Sequence, residues 1–483
     1  MLININGDLI METLYEYDRL LEELLNSDKL KYCYECGTCT GCCPITEMSN
    51  GIYKPRNVLL KISLDLKSVI KEKEIWLCAS CHKCYRLCPQ GIKTPDILIK
   101  LRDLSVELGY IDGFIEALDI IKKDIPLPAV ALFIGFDPLF GTTDRTKIAE
   151  IFKKFIEDYK EGISLVNRED IISDKHVAII GSGPAGLTAA KYLIKKGYPV
   201  TIFESMSEVG GMLRKGIPFF RLPKDIVDIE AEYVKKMGVE IKTNSTITNL
   251  DDLKERYDAI FLAIGAQKSK HLGIPGEDLD GVITAIDFLN KANTNDIDIQ
   301  DKKVVIVGGG NVAMDVARSA LRLGAKLVNA CCIEDNETMP AYKKEIQAAM
   351  IEGTEIKTTL LPTKIFGDNG RVTAIEFIKI ILEKSEDTGD IRIIPVKDSE
   401  QRLDADIVVL AIGSATDLSF LPAEIIGRNV IDANPLTTET RLPGIFAGGD
   451  AIFGPATATE AMLTGKRAAF SIDKYLKGLK DLI

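Results

Sequence analysis

Nine of the eleven cysteines in this 483-residue chain lie between positions 33 and 88. They include two runs with the same spacing, C-x2-C-x2-C-x3-C-P, formed by Cys33, Cys36, Cys39 and Cys43, and by Cys78, Cys81, Cys84 and Cys88. This spacing is typical of proteins that hold two [4Fe–4S] clusters, where the fourth cysteine of each run binds the other cluster. The pattern predicts one cluster on Cys33, Cys36, Cys39 and Cys88, and a second on Cys78, Cys81, Cys84 and Cys43.

A pair of zinc sites is the alternative, because C-x2-C also suits tetrahedral zinc. Four ligands per zinc ion would not require the repeated x3-Cys-Pro, so iron–sulfur clusters are favoured. Cys42 and His82 also lie within the runs. We expect them to be neighbours of the clusters and not ligands, since the eight other cysteines already complete both sets.

A glycine-rich turn at 181–186 indicates a different chemistry. The predicted strand 177–180 runs into G-x-G-x-x-G, a helix follows, and the next strand ends on Glu204. In such a unit the glycines permit a tight turn, close approach of a pyrophosphate, and packing of the helix on the strand. The helix N-terminus faces the phosphates, and the acid bonds a ribose hydroxyl. This pattern predicts a bound dinucleotide at Gly181, Gly183, Pro184, Ala185, Gly186 and Glu204. The alternative, a glycine-rich turn that arises by coincidence, is disfavoured because the strand, the helix and the acid are all present.

A second unit of this kind lies at 304–334. A strand runs into the G-x-G-x-x-A that contains Gly308, Gly310, Asn311 and Val312, and the following strand leads to Glu334. We expect a second nucleotide here. Cys331 and Cys332 are adjacent, and their α-carbons, about 3.8 Å apart, are too close for an ordinary disulfide. They are expected to be small strand residues.

Composition limits the function classes. The length suggests about three domains, and a formal net charge of −11 argues against nucleic acid and anionic membrane surfaces. No apolar stretch is long enough to span a bilayer, and the N-terminus lacks a secretion signal. We therefore expect a cytoplasmic protein without membrane insertion, in which clustered cysteines bind metal and do not form disulfides.

The N-terminal part resembles the small electron-relay component of heterodisulfide reductase, which holds two cubane clusters. The resemblance covers roughly residues 28–110 and rests on CGTCTGCCP, KPRNVLLKI and IWLCASCHKCYRLCPQGI. It implies a helical dicluster domain that exchanges electrons with another protein.

The remainder, about residues 125–483, resembles the small subunit of glutamate synthase and the flavoprotein part of dihydropyrimidine dehydrogenase. The motifs are GGMLRKGIPFFRLP, AIGA and GIFAGGDAIFGPATATEA. The resemblance implies FAD at the first glycine turn, contacted also by Gly210, Gly211, Leu213, Arg221, Gly449, Asp450 and Thr457, and a nicotinamide nucleotide at the second turn, with Gly413 at its edge. Arg221 could instead form a surface ion pair, and Asp450 could only cap a helix.

The same resemblance bears on nucleotide choice. NADPH-using relatives carry two basic residues after the strand that here leads to Ile333 and Glu334. A carboxylate at this point can bond both ribose hydroxyls of NAD but repels a 2′-phosphate. We therefore expect NAD(H), with NADP(H) less favoured.

The predicted fold class is α/β with an α-helical, ferredoxin-like N-terminal domain and two Rossmann-type three-layer domains, the second inserted in the first. The expected divisions are a dicluster domain at 1–110, a helical connector at 111–172, an FAD-binding domain at 173–291 and 405–483, and an NAD-binding domain at 292–404.

Together these features predict an NAD(P)H-dependent iron–sulfur flavoprotein that passes electrons to or from a partner protein of a larger redox complex. No catalytic side chain is expected, because hydride transfer belongs to the cofactors. Three possibilities remain open: an electron-input subunit of the glutamate-synthase or heterodisulfide-reductase kind, an electron-bifurcating subunit, and a non-catalytic relay with a disused nicotinamide site.

Overall fold

The computed structural model describes residues 29–124, 126, 146–161, 173–384 and 391–479, together with 19, 22–24 and 26. The connector stretch 127–145 and most of the chain before residue 29 lie outside the described residues. Of the helices within these ranges, none is long and apolar enough to cross a membrane.

The N-terminal part is helical, as expected. Short 3-10 turns precede both cysteine runs, at Leu30–Tyr32 and Lys73–Leu77. The α-helices are Thr38–Gly41, Pro44–Met48, Pro55–Val69, Lys83–Arg86 and Thr94–Glu107, followed by the two connector helices Asp112–Asp124 and Thr146–Glu161. Proline lies in the first turn of three of them, where its missing N–H is not needed. The apolar sides of these helices share one core with the helix Lys224–Lys236 of the next domain.

The first sheet is fully parallel. Its strands are β1 Val177–Ile180, β2 Val200–Phe203, β3 Glu240–Lys242, β4 Ala259–Leu262 and β16 Ile445–Ala447. They lie in the order β16-β4-β1-β2-β3. The helices of this domain are Pro184–Lys195, Met212–Lys215, Lys224–Lys236, Asp251–Lys254, Asp450–Phe453 and Ala458–Leu476. Because the last strand comes from the C-terminal part of the chain, another domain is inserted before it.

The inserted domain has its own parallel sheet. Its strands are β6 Val282–Thr284, β7 Lys303–Val307, β8 Leu327–Cys331, β9 Glu355–Lys357 and β14 Ile407–Leu410, and its helices are Ala285–Asn293, Asn311–Arg322 and Lys343–Glu352. The strand order is β6-β14-β7-β8-β9. The predicted limits of 292 and 404 are therefore wrong at both ends. The strands β6 and β14 lie outside them, yet both pair within this sheet.

A smaller antiparallel layer covers the inserted domain. It contains β10 Leu360–Asp368, β11 Arg371–Lys384, β12 Ile391–Pro395 and β13 Gln401–Asp404. The chain passes twice between the two sheet domains, and the two connecting segments form a short antiparallel pair, β5 Lys268–Ser269 with β15 Ser414–Ala415. A 3-10 turn follows at Ala423–Ile425.

Each parallel sheet separates two cores. Successive side chains of a strand point to opposite faces, so Val177 and Ile179 enter one apolar cluster, while Ala178 and Ile180 enter another. In the second sheet Val304 and Ile306 face one core, and Val305 and Val307 face the other. This burial on both faces explains the continuous apolar runs that precede both glycine turns.

Candidate cofactor sites

One cleft joins the two sheet domains. It has a volume of about 980 Å³ and is lined by both glycine turns. Of the residues predicted to bind nucleotides, those that line it are Gly181, Gly183, Pro184, Ala185, Glu204, Gly211, Leu213, Gly308, Gly310, Asn311, Val312, Glu334, Gly413, Gly449, Asp450 and Thr457. Since both turns open into the same space, nucleotides bound at the two would meet within it.

Three predicted residues do not line this cleft. A Cβ at Gly186 would overlap the carbonyl oxygen of Gly181, so Gly186 allows the helix to approach the strand. Gly210 has φ of 125° and donates its N–H to the Ser182 hydroxyl at 3.1 Å. Gly186 and Gly210 therefore shape the turn without reaching the cleft.

Arg221, the third of these residues, binds across the domain boundary. Its Nε lies 2.8 Å from Asp315 Oδ1, and its guanidinium also pairs with Glu345. Although burial opposes ionisation of Glu345, Arg221 and Arg318 hold the pKa of that carboxyl below its ordinary value. Arg221 therefore forms its ion pairs at the boundary with the inserted domain and not on the open surface. Its contact with a flavin stays a prediction.

Glu204 organises the first glycine turn. The carboxylate is buried and accepts hydrogen bonds from the Ser182 N–H at 3.0 Å and from the Ser182 hydroxyl. Its other oxygen accepts from the N–H of Met206 at 2.9 Å. The acid thus fixes the loop and also lines the cleft. Its contact with a ribose stays a prediction.

The C-terminal motif supplies the opposite wall. Thr457 caps the helix Ala458–Leu476, and Glu460 completes a capping box. The N-terminus of this helix faces the cleft, where its dipole favours negative charge. Asp450 lies beside it and accepts from the Ala456 N–H at 3.3 Å. Burial raises the pKa of the Asp450 carboxyl to about 7.

Glu334 lines the cleft beside the second glycine turn. A Cβ at Gly309 would come within 3.0 Å of the Glu334 carboxylate. Asn311 begins the helix after the turn, and its side chain accepts the N–H of Tyr342 at 2.9 Å. Cys331 and Cys332 are free and buried. Cys331 ends β8 and Cys332 follows it, so only the first is a strand residue as expected.

The predicted cysteine sets come together in space. Cys33, Cys36, Cys39 and Cys88 line one cavity, which shares no lining residue with the cleft; we call these four the distal set. We call Cys43, Cys78, Cys81 and Cys84 the proximal set.

The proximal thiols lie near one another within the protein. Burial, together with Cys81, raises the pKa of Cys43 to about 12. Burial and the nearby Cys78 raise the pKa of Cys81 to about 11 and also raise that of Cys84. Cys78 and Cys84 are buried, and Cys43 and Cys81 are half-buried. Four thiolates that repel one another at such a place need positive charge between them, so the donor set fits an iron–sulfur core. Within the described ranges, no His, Cys, Asp or Glu side chains are grouped as they would be around a single metal ion.

The proximal set adjoins the cleft. Thr459 and Glu460, at the start of the helix Ala458–Leu476, both act on the pKa of the nearby Cys81 thiol, which Thr459 lowers and Glu460 raises. Lys83 forms an ion pair with Glu460 at 2.9 Å. Both Glu460 and Arg86 line the cleft.

Tyr342 joins the inserted domain to the same place. Its ring stacks on His82 with centroids 4.3 Å apart, and its hydroxyl donates to the Cys81 carbonyl at 3.4 Å. Sequence reasoning misses Tyr342, because 261 residues separate it from Cys81 and no motif links the two.

Two cations of the C-terminal helix hold the segment that follows Cys43. The Lys466 ammonium donates to the carbonyls of Glu47 and Met48 and to the Asn50 side chain, at 2.9, 3.2 and 2.8 Å. Arg467 binds the Glu47 carboxylate through two hydrogen bonds. The helix that faces the cleft therefore also positions a proximal cysteine.

Residues 175–465 match the family described as pyridine nucleotide-disulphide oxidoreductase. The chain belongs to this family. Residues 29–92 of this oxidoreductase match the 4Fe-4S dicluster domain, which supports iron–sulfur clusters at the cysteine runs. The predicted oxidoreductase class and the α/β fold with a helical N-terminal region are confirmed.

Curated relatives agree with these matches. The oxidoreductase is 37% identical to the NADP(+)-dependent formate dehydrogenase subunit beta of Moorella thermoacetica, over 82% of this chain and 60% of the relative. It is 34% identical to the glutamate synthase [NADPH] small chain of Escherichia coli, over 63% and 69%, so the resemblance stated above is confirmed. It is also 30% identical to the NAD-dependent dihydropyrimidine dehydrogenase subunit PreT of Escherichia coli, over 88% and 98%.

The chain thus spans about three fifths of the formate dehydrogenase protein. Among solved structures, thioredoxin reductase of Lactococcus lactis in the FR conformation has the same fold, with a TM-score of 0.52 and 22% identity over 63% of this chain and all of that one. Both NADP and NAD appear in the names of the relatives, so kinship leaves the nucleotide undecided.

The cysteine assignment predicts a contrast between neighbours. Replacing Cys43 with alanine should lower the iron content by about half, because one of two clusters loses a ligand. The matched variant Cys42→Ala should keep its iron, since the Cys42 thiol makes only a weak contact with the Cys39 carbonyl at 3.6 Å. Iron analysis and the visible spectrum measure both. Loss of iron from the Cys42 variant alone would contradict the assignment.

A pH dependence follows from Asp450. Because its folded pKa is raised to about 7, the folded chain holds a proton that the unfolded chain releases near its ordinary, lower pKa. Stability is therefore lost as the pH rises toward 7. In flavin-free, cluster-loaded protein, the thermal midpoint should fall more between about pH 5 and about pH 8 for the wild type than for Asp450→Asn. Parallel pH curves for the two proteins would refute this effect.

Proposed function

We propose that this chain is an oxidoreductase subunit that passes electrons between a nicotinamide nucleotide, NAD(H) by preference, and a partner protein, through FAD and two [4Fe–4S] clusters. The observation that carries the proposal is the single cleft that both glycine turns line and that the proximal cysteine set adjoins. In this arrangement the two nucleotides would meet inside the protein, and electrons would pass from the flavin to the partner through the clusters.

The residues suit each step of this path. Bound FAD would supply the conversion of a two-electron hydride into single electrons, the form that iron–sulfur clusters accept. The glycine turns and Glu204 would hold its adenosine half, and the N-terminus of the helix Ala458–Leu476 would stabilise negative charge on its ring. Thr459, which acts on the pKa of the nearby Cys81 thiol, follows directly after the start of that helix.

The order of the clusters follows from their surroundings. The proximal set adjoins the cleft, because the cleft residue Tyr342 donates to the Cys81 carbonyl and Lys83 pairs with the cleft residue Glu460. The distal set lines a separate cavity, and its Cys36 is exposed. We therefore place the proximal cluster next to the flavin and the distal cluster next to the partner.

Anaerobic titration tests the function. Addition of NADH to the purified protein should bleach the flavin absorption band, and electron paramagnetic resonance should then detect reduced clusters. If neither NADH nor NADPH bleached the flavin, the nicotinamide site would be out of use and the proposal would fail. Bleaching without any reduced cluster would disprove the path beyond the flavin.

Glu334 carries the proposed preference for NAD(H). Its carboxylate lies beside the second glycine turn, where it can bond ribose hydroxyls and repel a 2′-phosphate. Glu334→Arg should shift the ratio of kcat/KM for NADH over NADPH toward NADPH by roughly tenfold or more, equivalent to about 1.4 kcal/mol. The matched control is Glu337→Arg, which changes an exposed acid on the same loop that does not line the cleft. A wild-type enzyme that already prefers NADPH would overturn this assignment.

A further inference from the structure

The distal set opens onto an unusual part of the surface. The residues on either side of Cys33 are exposed aromatics, with Tyr34 71% and Tyr32 51% accessible. Tyr34 lines the cysteine cavity together with Cys33 and Cys36. Tyrosine offers a large contact area at low entropic cost, and it is enriched at protein interfaces.

Basic side chains surround these aromatics. Lys29 and Lys31 are exposed immediately before Cys33, and Lys54 and Arg56 are exposed at the start of the helix Pro55–Val69. The Arg56 guanidinium lies against the cysteine loop, where it donates to the Glu35 carbonyl at 3.4 Å. We call the exposed residues of 29–36, together with Lys54 and Arg56, the distal face. Its described residues include four basic side chains and one acid, Glu35, in a chain whose net charge is −11.

Charge and chemistry together select a kind of partner. A basic face on an acidic protein attracts a partner whose contact surface is acidic, and it aligns the pair before contact. Electron transfer between proteins requires the two redox centres to approach closely, and Cys36 is the exposed cysteine of the cluster sets. A partner seated on the distal face would lie directly over this cysteine.

We propose that the distal face is the docking surface for an acidic carrier protein that exchanges one electron at a time. The inference rests on the proposed function, since it places the partner at the end of the same path. Oxidation of one reduced nicotinamide releases two electrons and one proton; the electrons leave in two separate encounters, each of which reduces the one-electron centre of a carrier, and the proton goes to solvent.

Charge reversal tests the docking surface. An acidic ferredoxin with two [4Fe–4S] clusters serves as the probe, and its reduction by the full-length protein and NADH is followed at low and high ionic strength. The double variant Lys29→Glu/Lys31→Glu should raise the KM for ferredoxin by about tenfold at low salt and weaken the salt dependence. The neutral pair Lys29→Gln/Lys31→Gln should give an intermediate value, whereas flavin bleaching by NADH should be unchanged in both variants.

The matched control is Lys235→Glu/Lys236→Glu, which reverses two exposed lysines at the end of the helix Lys224–Lys236 in the first sheet domain. It changes the net charge equally and should leave the KM for ferredoxin near the wild-type value. An equal rise in both double variants would overturn the proposal, since only total charge would then matter. The iron content of each variant shows whether the clusters remain in place.

Two other results would also overturn the docking surface. If the wild type bleaches its flavin with NADH but neither reduces oxidised ferredoxin nor is reduced by reduced ferredoxin, the acidic carrier is refuted and the proposed function stands. If light scattering shows that the Lys29 and Lys31 variants dissociate a dimer without any change in ferredoxin kinetics, the face binds a second copy of this chain. Failure of NADH to bleach the flavin is a failure of the proposed function instead.

Discussion

The helix Ala458–Leu476 is the element on which the arrangement of the sites depends. Its N-terminus lines the cleft, its Thr459 lies near enough to Cys81 to lower the pKa of that thiol, and Glu460 pairs with Lys83. Further along the same helix, Lys466 and Arg467 hydrogen-bond the segment after Cys43. A single rigid helix thus fixes the distance between the cleft and the proximal cysteines, which a flexible linker could not do.

Buried polar contacts supply much of this rigidity. The Lys466 ammonium has three donors and three protein acceptors at hydrogen-bonding distance. Removing such a group would leave buried carbonyls unsatisfied, at a cost of about 1–3 kcal/mol each. Arg221 similarly ties the first sheet domain to Asp315 and Glu345 of the inserted domain. The orientation of the domains therefore depends on charge pairs as well as on apolar packing.

Local patterns predicted most of the site. The cysteine spacing predicts which eight thiols belong together, and the structure brings Cys88 to Cys33 and Cys43 to Cys78 as that pattern requires. Sixteen of the nineteen predicted nucleotide-site residues line one cleft. The structure brings these residues together as the patterns require, and each pattern is recognisable within about thirty residues because glycine turns and clustered cysteines are local features.

The sequence by itself determined the oxidoreductase class, the iron–sulfur domain and the two parallel sheets. It also pointed to Glu204 and Glu334, the acids that follow the second strand of each glycine-turn unit. Only the tertiary structure decided how these parts meet. Strand β14 pairs with both β7 and β6, and β14 and β6 lie outside the predicted limits of the inserted domain. Such pairing joins segments more than one hundred residues apart in the chain, so a local pattern does not reveal it. The contacts of Tyr342 with Cys81, of Lys466 with Glu47 and of Arg221 with Asp315 carry no local signal. Such contacts depend on the packing of whole domains, which no short pattern encodes.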